Sequence, residues 1–344
     1  MNIVPYILSH GNWISMETFM ELALYDEEGG YYSRNISNIG FRGDFSTSAT
    51  MCDLLARRIV QQWRESCRIH KRRLPIIEIG GGNGDMAMAI CRNMSLWERI
   101  FSRYLMVDRS RTLRNLQGMV GGHSVTVLSS VQKALKKTDG CAFIFSNELP
   151  DAFPARQFVY QGGQWLELGL AVTDGKIVRQ ATLSPLPASA AFERWAQEGQ
   201  IIEVHESYYK WYAEWHELWK MGTMLTIDYG QTNDKVYYRR PQGSLRGYKA
   251  HTLLSADELP TLAGHCDITC DVNFTDLMNL AQGSGGDVVQ YMSQRDFLLP
   301  LANPSVPEEA HLIAVPGAGN YFNVLIQNRF KRSGYGYVFV VLVQ

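Results

Sequence analysis

The chain has 344 residues, 46% of them hydrophobic, and a formal net charge of -1. That length accommodates one large α/β domain with insertions, or two domains, and the balanced charge argues against nucleic acid as an obligate partner, which needs a basic face. Six cysteines scattered through so long a chain read as reduced thiols rather than a disulfide framework.

In chain order, MNIVPYILSHGNWIS has no basic region followed by a long apolar run and is not Arg-rich. No signal peptide, transit peptide or bilayer-spanning segment is expected, and the cytoplasm is the expected compartment. Residues 16–25 predict a helix, DEEGGYY turns the chain, and GFRGDFSTSAT at 40–50 reads as a loop. From 51 to about 68 the pattern is helical, with Leu54, Leu55, Ile59 and Trp63 on one side. The short basic run of Arg68, Lys71, Arg72 and Arg73 reads as a solvated helix end.

Apolar segments then alternate with helical stretches. LPIIEIG (74–80), RYLMVD (103–108), VTVLS (125–129), CAFIFS (141–146) and TMLTIDYG (223–230) are the strand candidates. Strands separated by helices imply an α/β fold with a parallel sheet. Two regions break the rhythm. Residues 157–180 read as antiparallel strands joined at Gly162-Gly163 and Asp174-Gly175, and 231–315 is turn-rich with helical pieces. Between them, ESYYKWYAEWHELWKM predicts one helix whose stripe of Tyr208, Tyr212, Trp215 and Trp219 is a packing face. Cys266 and Cys270, with His251 and His265 nearby, invite comparison with a zinc site; the strand-like DITCDV between them and the lack of a second cysteine pair argue against one, and no metal is expected.

The first strong strand ends in EIGGGNGD, that is, Glu78-x-Gly80-x-Gly82-x-Gly84. A dinucleotide fingerprint would need glycine where Asp85 stands, and a P-loop would need a GK[ST] that is absent. Glycines at such a turn admit close approach of a ligand. Asp108 ends the next strand, where a carboxylate can accept hydrogen bonds from both hydroxyls of a ribose. A close-approach loop, a ribose acid and no phosphate signature suggest a nucleoside without a phosphate chain, such as S-adenosylmethionine. The fourth strand runs into SNELPDAFPARQF, which gathers Asn147, Glu148 and Asp151 among Pro150 and Pro154. Alone, Asn147 or Asp151 reads equally as a helix N-cap, while polar groups at the end of a buried strand otherwise need a partner.

With these residues in view the chain resembles the MidA-like family of S-adenosylmethionine-dependent methyltransferases, which includes a mitochondrial complex I assembly-factor arginine methyltransferase. The likeness is carried, in order, by LYDEEGGYY, GDFSTS, EIGGGNGD, SNELPDAFPARQF, TIDYG, GSLRGYKAH, CDITCDVNFTDL, QYMSQRDFL and YFNVLIQ. It implies a Rossmann-like class I methyltransferase fold: a mostly parallel seven-stranded sheet with helical and β insertions. The organisation expected on that basis is an N-terminal helical segment and GDF loop (1–70), a core (71–230) with a β insertion near 157–180, a substrate-side insertion (231–320) and closing strands (321–344). Departures from the family pattern are Ser48, Ala49 and Thr50 for Ser-Pro-Glu, Gly80-Gly81-Gly82 for Gly-Pro-Gly, Asp271 for His and Asn273 for Asp. GYGYVFVVLVQ, the last segment, matches no family motif.

Ligands of an open α/β sheet sit at the carboxyl ends of its strands, so NELPDAFP would neighbour the cofactor loop. Cofactor contacts are then expected from Glu78, Gly80, Gly82, Gly84, Asp108 and Asp44, and catalysis from Glu148, Asp151 and Asn147. A guanidinium acceptor needs carboxylates to fix its plane and take its proton. Asp228 reads equally as a cleft acid or a loop cap, and Arg246 and His251 as acceptor contacts or as partners of an acid. The resemblance implies a methyltransferase acting on a protein side-chain nitrogen, arginine leading, in a partner such as a respiratory-complex subunit. A small-molecule N- or O-methyltransferase, or a cofactor-binding assembly factor without transfer activity, are the alternatives. No membrane insertion is expected.

Overall fold

The computed structural model describes residues 1–34, 53–121, 125–249, 252–315 and 317–331. Asp44, Thr50, His251 and the segment GYGYVFVVLVQ lie outside the described residues. Seven strands form the central sheet: β1 (Ile76–Ile79), β2 (Tyr104–Val107), β3 (Val125–Leu128), β4 (Phe143–Asn147), β5 (Gly222–Gln231), β6 (Asp287–Ser293) and β7 (Phe322–Arg329). Their order across the sheet is β6-β7-β5-β4-β1-β2-β3, and β7 alone runs against the others. A two-residue strand, Val272–Asn273, adds a short parallel pairing at the end of β5.

The inner strands are mostly apolar on both faces because both sheet faces are covered, with Glu78, Ser146, Thr226 and Asp228 as buried polar exceptions. Ile76, Tyr104, Met106, Phe143 and Phe145 point into one layer, which the helix Leu54–Ile69 closes with Leu55, Ile59 and Trp63. Ile77, Ile79, Leu105, Val107 and Ile144 point into the other, against Tyr208, Tyr212, Trp215 and Trp219. The aromatic stripe is therefore packing, as its spacing suggests. It is not one helix, however: Glu206–Ala213 is α-helical and His216–Leu218 a separate 3-10 turn.

The five strand candidates and the helix Met16–Tyr25 stand where the sequence puts them. The β insertion comprises Arg156–Gln161, Gln164–Thr173 and Lys176–Thr182, antiparallel and joined at the expected turns. Gly162, Gly163, Asp174 and Gly175 all have positive φ there, as a two-residue hairpin with right-handed strand twist requires. Two boundaries differ from the sequence reading. Asp287–Ser293 is the edge strand β6 of the central sheet, not part of a substrate-side insertion; pairing with β7 pulls it in across a register shift between Val288 and Gln290. Leu54–Ile69, grouped with the N-terminal segment by sequence, belongs to the core layer. The segment ahead of it is tied to the insertion instead, since Ile14 and Ser15 pair with Leu170 and Gly169. No helix among the described residues is long and apolar enough to cross a membrane.

Candidate active site

A cleft of about 920 Å³ opens at the carboxyl ends of β1 to β4. Its floor is the turn after β1. Gly80, Gly82 and Gly84 have φ of 71°, 52° and 93°, a region open to glycine and costly for other residues. The turn is pinned by the Gly80 N–H donating to the Val107 carbonyl at 2.9 Å. It is also closely packed: a Cβ on Gly81 would stand 2.4 Å from the Met106 terminal methyl and 3.0 Å from the Glu78 carboxyl carbon. Gly84 begins the helix Asp85–Asn93, so the turn delivers the chain from strand to helix inside five residues.

Two acids face this floor. Glu78 is buried and accepts a hydrogen bond from the Tyr104 hydroxyl at 2.8 Å. Burial pushes its carboxyl up to about 7, against the pull of that hydrogen bond. Asp108 accepts from the Ser110 N–H at 2.8 Å and the Gln117 amide at 3.1 Å, and burial raises it to about 6. Gln117 ties Asp108 to the glycine turn: the same amide nitrogen donates to the Gly82 carbonyl at 2.9 Å. Nothing in a helical RTLRNLQG singles out Gln117, and it escaped the sequence reading.

The helix Met16–Tyr25 and the short helix after it form a wall. Glu17, Glu21, Tyr25 and Tyr32 line the cleft, with the rings of Tyr25 and Tyr32 stacked at 5.5 Å. Arg109 covers Tyr25 at 4.6 Å and pairs with Glu21, and the Tyr25 hydroxyl donates to the Ala152 carbonyl at 2.8 Å. LYDEEGGYY, carried above only as a motif, thus supplies an aromatic surface.

The third wall is the end of β4. Asn147 and Glu148 line the cleft. Glu148 sits at φ 54°, uncommon for a residue with a side chain. Its carboxylate accepts from the Asn147 amide at 2.9 Å and from the Tyr229 hydroxyl at 3.3 Å. Burial, then the nearby Asp151, raise its carboxyl to about 8. The Asn147 Oδ1 is buried with no hydrogen-bond partner.

The structure separates the remaining candidates. Asp228 is a loop cap: its Oδ2 accepts from the Leu149 and Asp151 N–H groups at 3.2 and 3.1 Å, and its Oδ1 from the Tyr229 N–H at 2.7 Å. Asp151 does not line the cleft; its Oδ2 accepts from Thr269 at 2.7 Å and its Oδ1 has no partner. Asp151 therefore adds no side chain to the cleft wall, although its charge is near enough to help raise the Glu148 carboxyl. Arg246 pairs with Asp271 at 2.6 Å, which settles its role as partner of an acid. Asn273, where the family pattern has Asp, is the N-cap of Phe274–Gly283 and accepts from the Thr275 N–H at 3.1 Å; Asn and Asp serve there about equally. Among the described residues no group of His, Cys, Asp and Glu is arranged to hold a metal, and Cys270 contacts the His205 ring at 3.3 Å in the core.

A cleft at a sheet's carboxyl edge, a glycine turn without phosphate cradle and an acid ending β2, on strands ordered 3-2-1-4-5-7-6 in chain numbering, define the class I methyltransferase architecture. The sequence pattern of a family of S-adenosyl-L-methionine-dependent methyltransferases matches residues 54–292, and the chain belongs to that family. It is 24% identical over 318 residues to the mitochondrial protein arginine methyltransferase NDUFAF7 of Rattus norvegicus, covering 83% of this chain and 70% of that one. A Burkholderia thailandensis protein crystallised with S-adenosyl-homocysteine superposes with a TM-score of 0.81 at 24% identity, over 96% of this chain and 92% of that one. A second, native structure of a Burkholderia thailandensis protein gives 0.79 at 24% identity, over 96% and 91%.

The protein is an S-adenosyl-L-methionine-dependent methyltransferase, and the cleft fits that cofactor. Gly80 and Gly82 line the cleft, and the Gly81 position between them leaves no room for a side chain beside Glu78 and Met106. Asp108 is a buried acceptor turned to the same cleft, suited to ribose hydroxyls, and the stacked tyrosines give an apolar wall.

Proposed function

We propose that the methyl acceptor is a protein side-chain nitrogen, with the arginine guanidinium as the leading group. The observation that carries this reading is Glu148: a carboxyl on the cleft wall, raised to about 8, held by Asn147 and Tyr229 and beside an unpartnered amide oxygen. A cation in that place would lower the carboxyl and ionise it, and the planar guanidinium matches a carboxylate with two parallel hydrogen bonds. The likeness to a rat arginine methyltransferase supports the same acceptor.

Bound S-adenosylmethionine supplies an electrophilic methyl on a sulfonium. The residues of this chain do the rest. Glu148 orients the acceptor nitrogen and takes the proton that it must lose as the new N–C bond forms. Asn147 holds the Glu148 Oε1 and offers its own Oδ1 to an acceptor N–H. Asp228 fixes the backbone of 149–151, so that the loop carrying these groups does not shift. Alignment of this kind supplies several of the ~7–11 kcal/mol available from positioning.

The test is transfer from methyl-labelled cofactor in a cell extract, followed by acid hydrolysis of the labelled fraction. The expected product is methylarginine in protein. Label in a small-molecule fraction would replace the protein acceptor, and label on another residue would replace arginine. Cofactor binding with no transfer to any fraction would leave a binding module.

A further inference from the structure

At the opposite end of the sheet the short helix Leu96–Phe101 buries none of its residues. Leu96, Trp97, Ile100 and Phe101 are 58 to 68% exposed, four large apolar side chains within six positions. Isolated exposed hydrophobes are ordinary, but a contiguous group is not. Trp97 and Phe101 stack on each other at 5.6 Å with planes 7° apart, which gives the patch one rigid aromatic ridge.

Cations surround the ridge. The Arg73 guanidinium lies 5.7 Å from the Phe101 ring, Arg99 projects from the helix itself, and Arg103 follows it and donates to the Lys137 carbonyl at 3.0 Å, so that the last turn of the helix Val131–Lys137, which carries Lys136 and Lys137, lies beside it. The acid on the helix, Glu98, is taken by Arg64 at 2.7 Å on the helix's other side. Among the described residues none of these five cations has a carboxylate partner. In a chain with a net charge of -1 this is a marked local excess. A niche of about 490 Å³ between Arg99 and Arg103 runs under Ile100 toward Thr126.

We propose that this face adsorbs to anionic phospholipid, with Trp97, Ile100 and Phe101 seated at the headgroup boundary and the surrounding Arg and Lys side chains on lipid phosphates. An apolar ridge with aromatic residues and a cationic rim is the composition that binds such an interface, through apolar burial plus attraction to negative lipid. Nucleic acid fits less well, since one ring face of each of Trp97 and Phe101 is taken by the other, Arg73 lies over the Phe101 ring, and Leu96 and Ile100 offer nothing to a base. Because Phe101 leads into the start of β2 while the cleft lies beyond its end at Asp108, adsorption leaves the cleft open to solution.

The test is sedimentation of the full chain with vesicles of phosphatidylcholine, with and without phosphatidylglycerol. Binding is expected only with the anionic lipid and is expected to fall with salt. W97A/F101A is expected to lower partition by more than about tenfold, and R99E/R103E by more than about a hundredfold, at roughly fivefold per charge unit lost. Both variants should keep the far-ultraviolet spectrum and cofactor affinity, as neither pair touches the cleft. The proposal is overturned by no partition at low salt, by partition that either variant leaves intact, by binding to single-stranded RNA without binding to vesicles, or by a concentration-dependent dimer in which Trp97 is buried.

Discussion

The two ends of the cleft are built from the same materials and finished differently. At the β1–β2 end, Glu78 and Asp108 are buried acids, and the chain itself supplies donors to both: Tyr104, the Ser110 N–H and Gln117. At the β4–β5 end, Glu148 stands in a strained backbone conformation, and the amide oxygen beside it has no partner. A buried polar atom without a partner costs about 1–3 kcal/mol. An amide oxygen without a partner occurs at both ends, Gln117 Oε1 beside Asp108 and Asn147 Oδ1 beside Glu148. The difference lies in the backbone and the carboxyl: Glu148 alone of the three acids stands at a left-handed residue, and its carboxyl is raised highest. On that difference we assign its end to the methyl acceptor and the other to the cofactor.

That division can be broken from either side. The largest effect is expected from Gly82→Val, which puts a β-branched side chain at φ 52° on the cleft floor; calorimetry should find no S-adenosylmethionine binding by a folded protein. Unchanged affinity there would remove the turn from the cofactor site. Next comes Glu148→Gln, similar in size but without the charge. It is expected to leave cofactor affinity nearly unchanged and to slow single-turnover transfer by roughly two to three orders of magnitude, about 2–4 kcal/mol. Near wild-type turnover would show that Glu148 takes no proton and holds no cation.

Smaller effects sharpen the contrast. Asp108→Ala should weaken cofactor binding by about 1.5–3 kcal/mol, the worth of hydrogen bonds to a charged group. Loss of stability with affinity intact would return Asp108 to a purely structural role. Gln117→Leu should cost affinity roughly tenfold by releasing the loop from the acid, at about 1 kcal/mol per hydrogen bond lost. Least in size is a pH effect. Glu148 is raised from 4.5 to about 8, so the folded state holds a proton that the unfolded chain releases, and ligand-free stability should fall as pH rises across that window. Glu78 and Asp108 act in the same direction but finish at about 7 and about 6. Burial raises Asp228, Asp151 and Glu203 as well, so thermal midpoints of Glu148→Gln should lose part of their downward slope across the window from 4.5 to about 8 without becoming flat, and an unaltered slope would contradict the raised carboxyl.

Much of the fold was legible because its signals are local. Five apolar runs marked five strands, and Gly162-Gly163 and Asp174-Gly175 marked the hairpins. β6 was not legible: DVVQYMS is split by a register shift and lies in turn-rich sequence, so only pairing with β7 defines it. In the cleft, the places of Gly80, Gly82, Glu78, Asp108 and the Asn147-Glu148 pair could be read from position at strand ends, whereas Gly84 is the N-cap of the following helix and does not line it. Asp151 and Asp228 could not be sorted, since what assigns them is tertiary: Thr269 takes the Asp151 carboxylate from 118 positions away, and Asp228 caps the Leu149 and Asp151 N–H groups from 79 and 77 positions away. Gln117 was invisible for a different reason: its two partners lie 35 and 9 positions away in sequence.

The conformation of Glu148 sets selection for a durable protein against selection for a working one. A side chain at φ 54° costs on the order of 1–3 kcal/mol, and its buried carboxyl adds a cost that grows as pH rises from 4.5 to about 8. Glu148→Gly would remove both at once, which makes the simplest relief of strain in the loop also the one that deletes the proposed proton acceptor. Variants gathered by screening for heat resistance alone should accumulate at this position and be inactive, a trade-off of the kind that strained active sites impose.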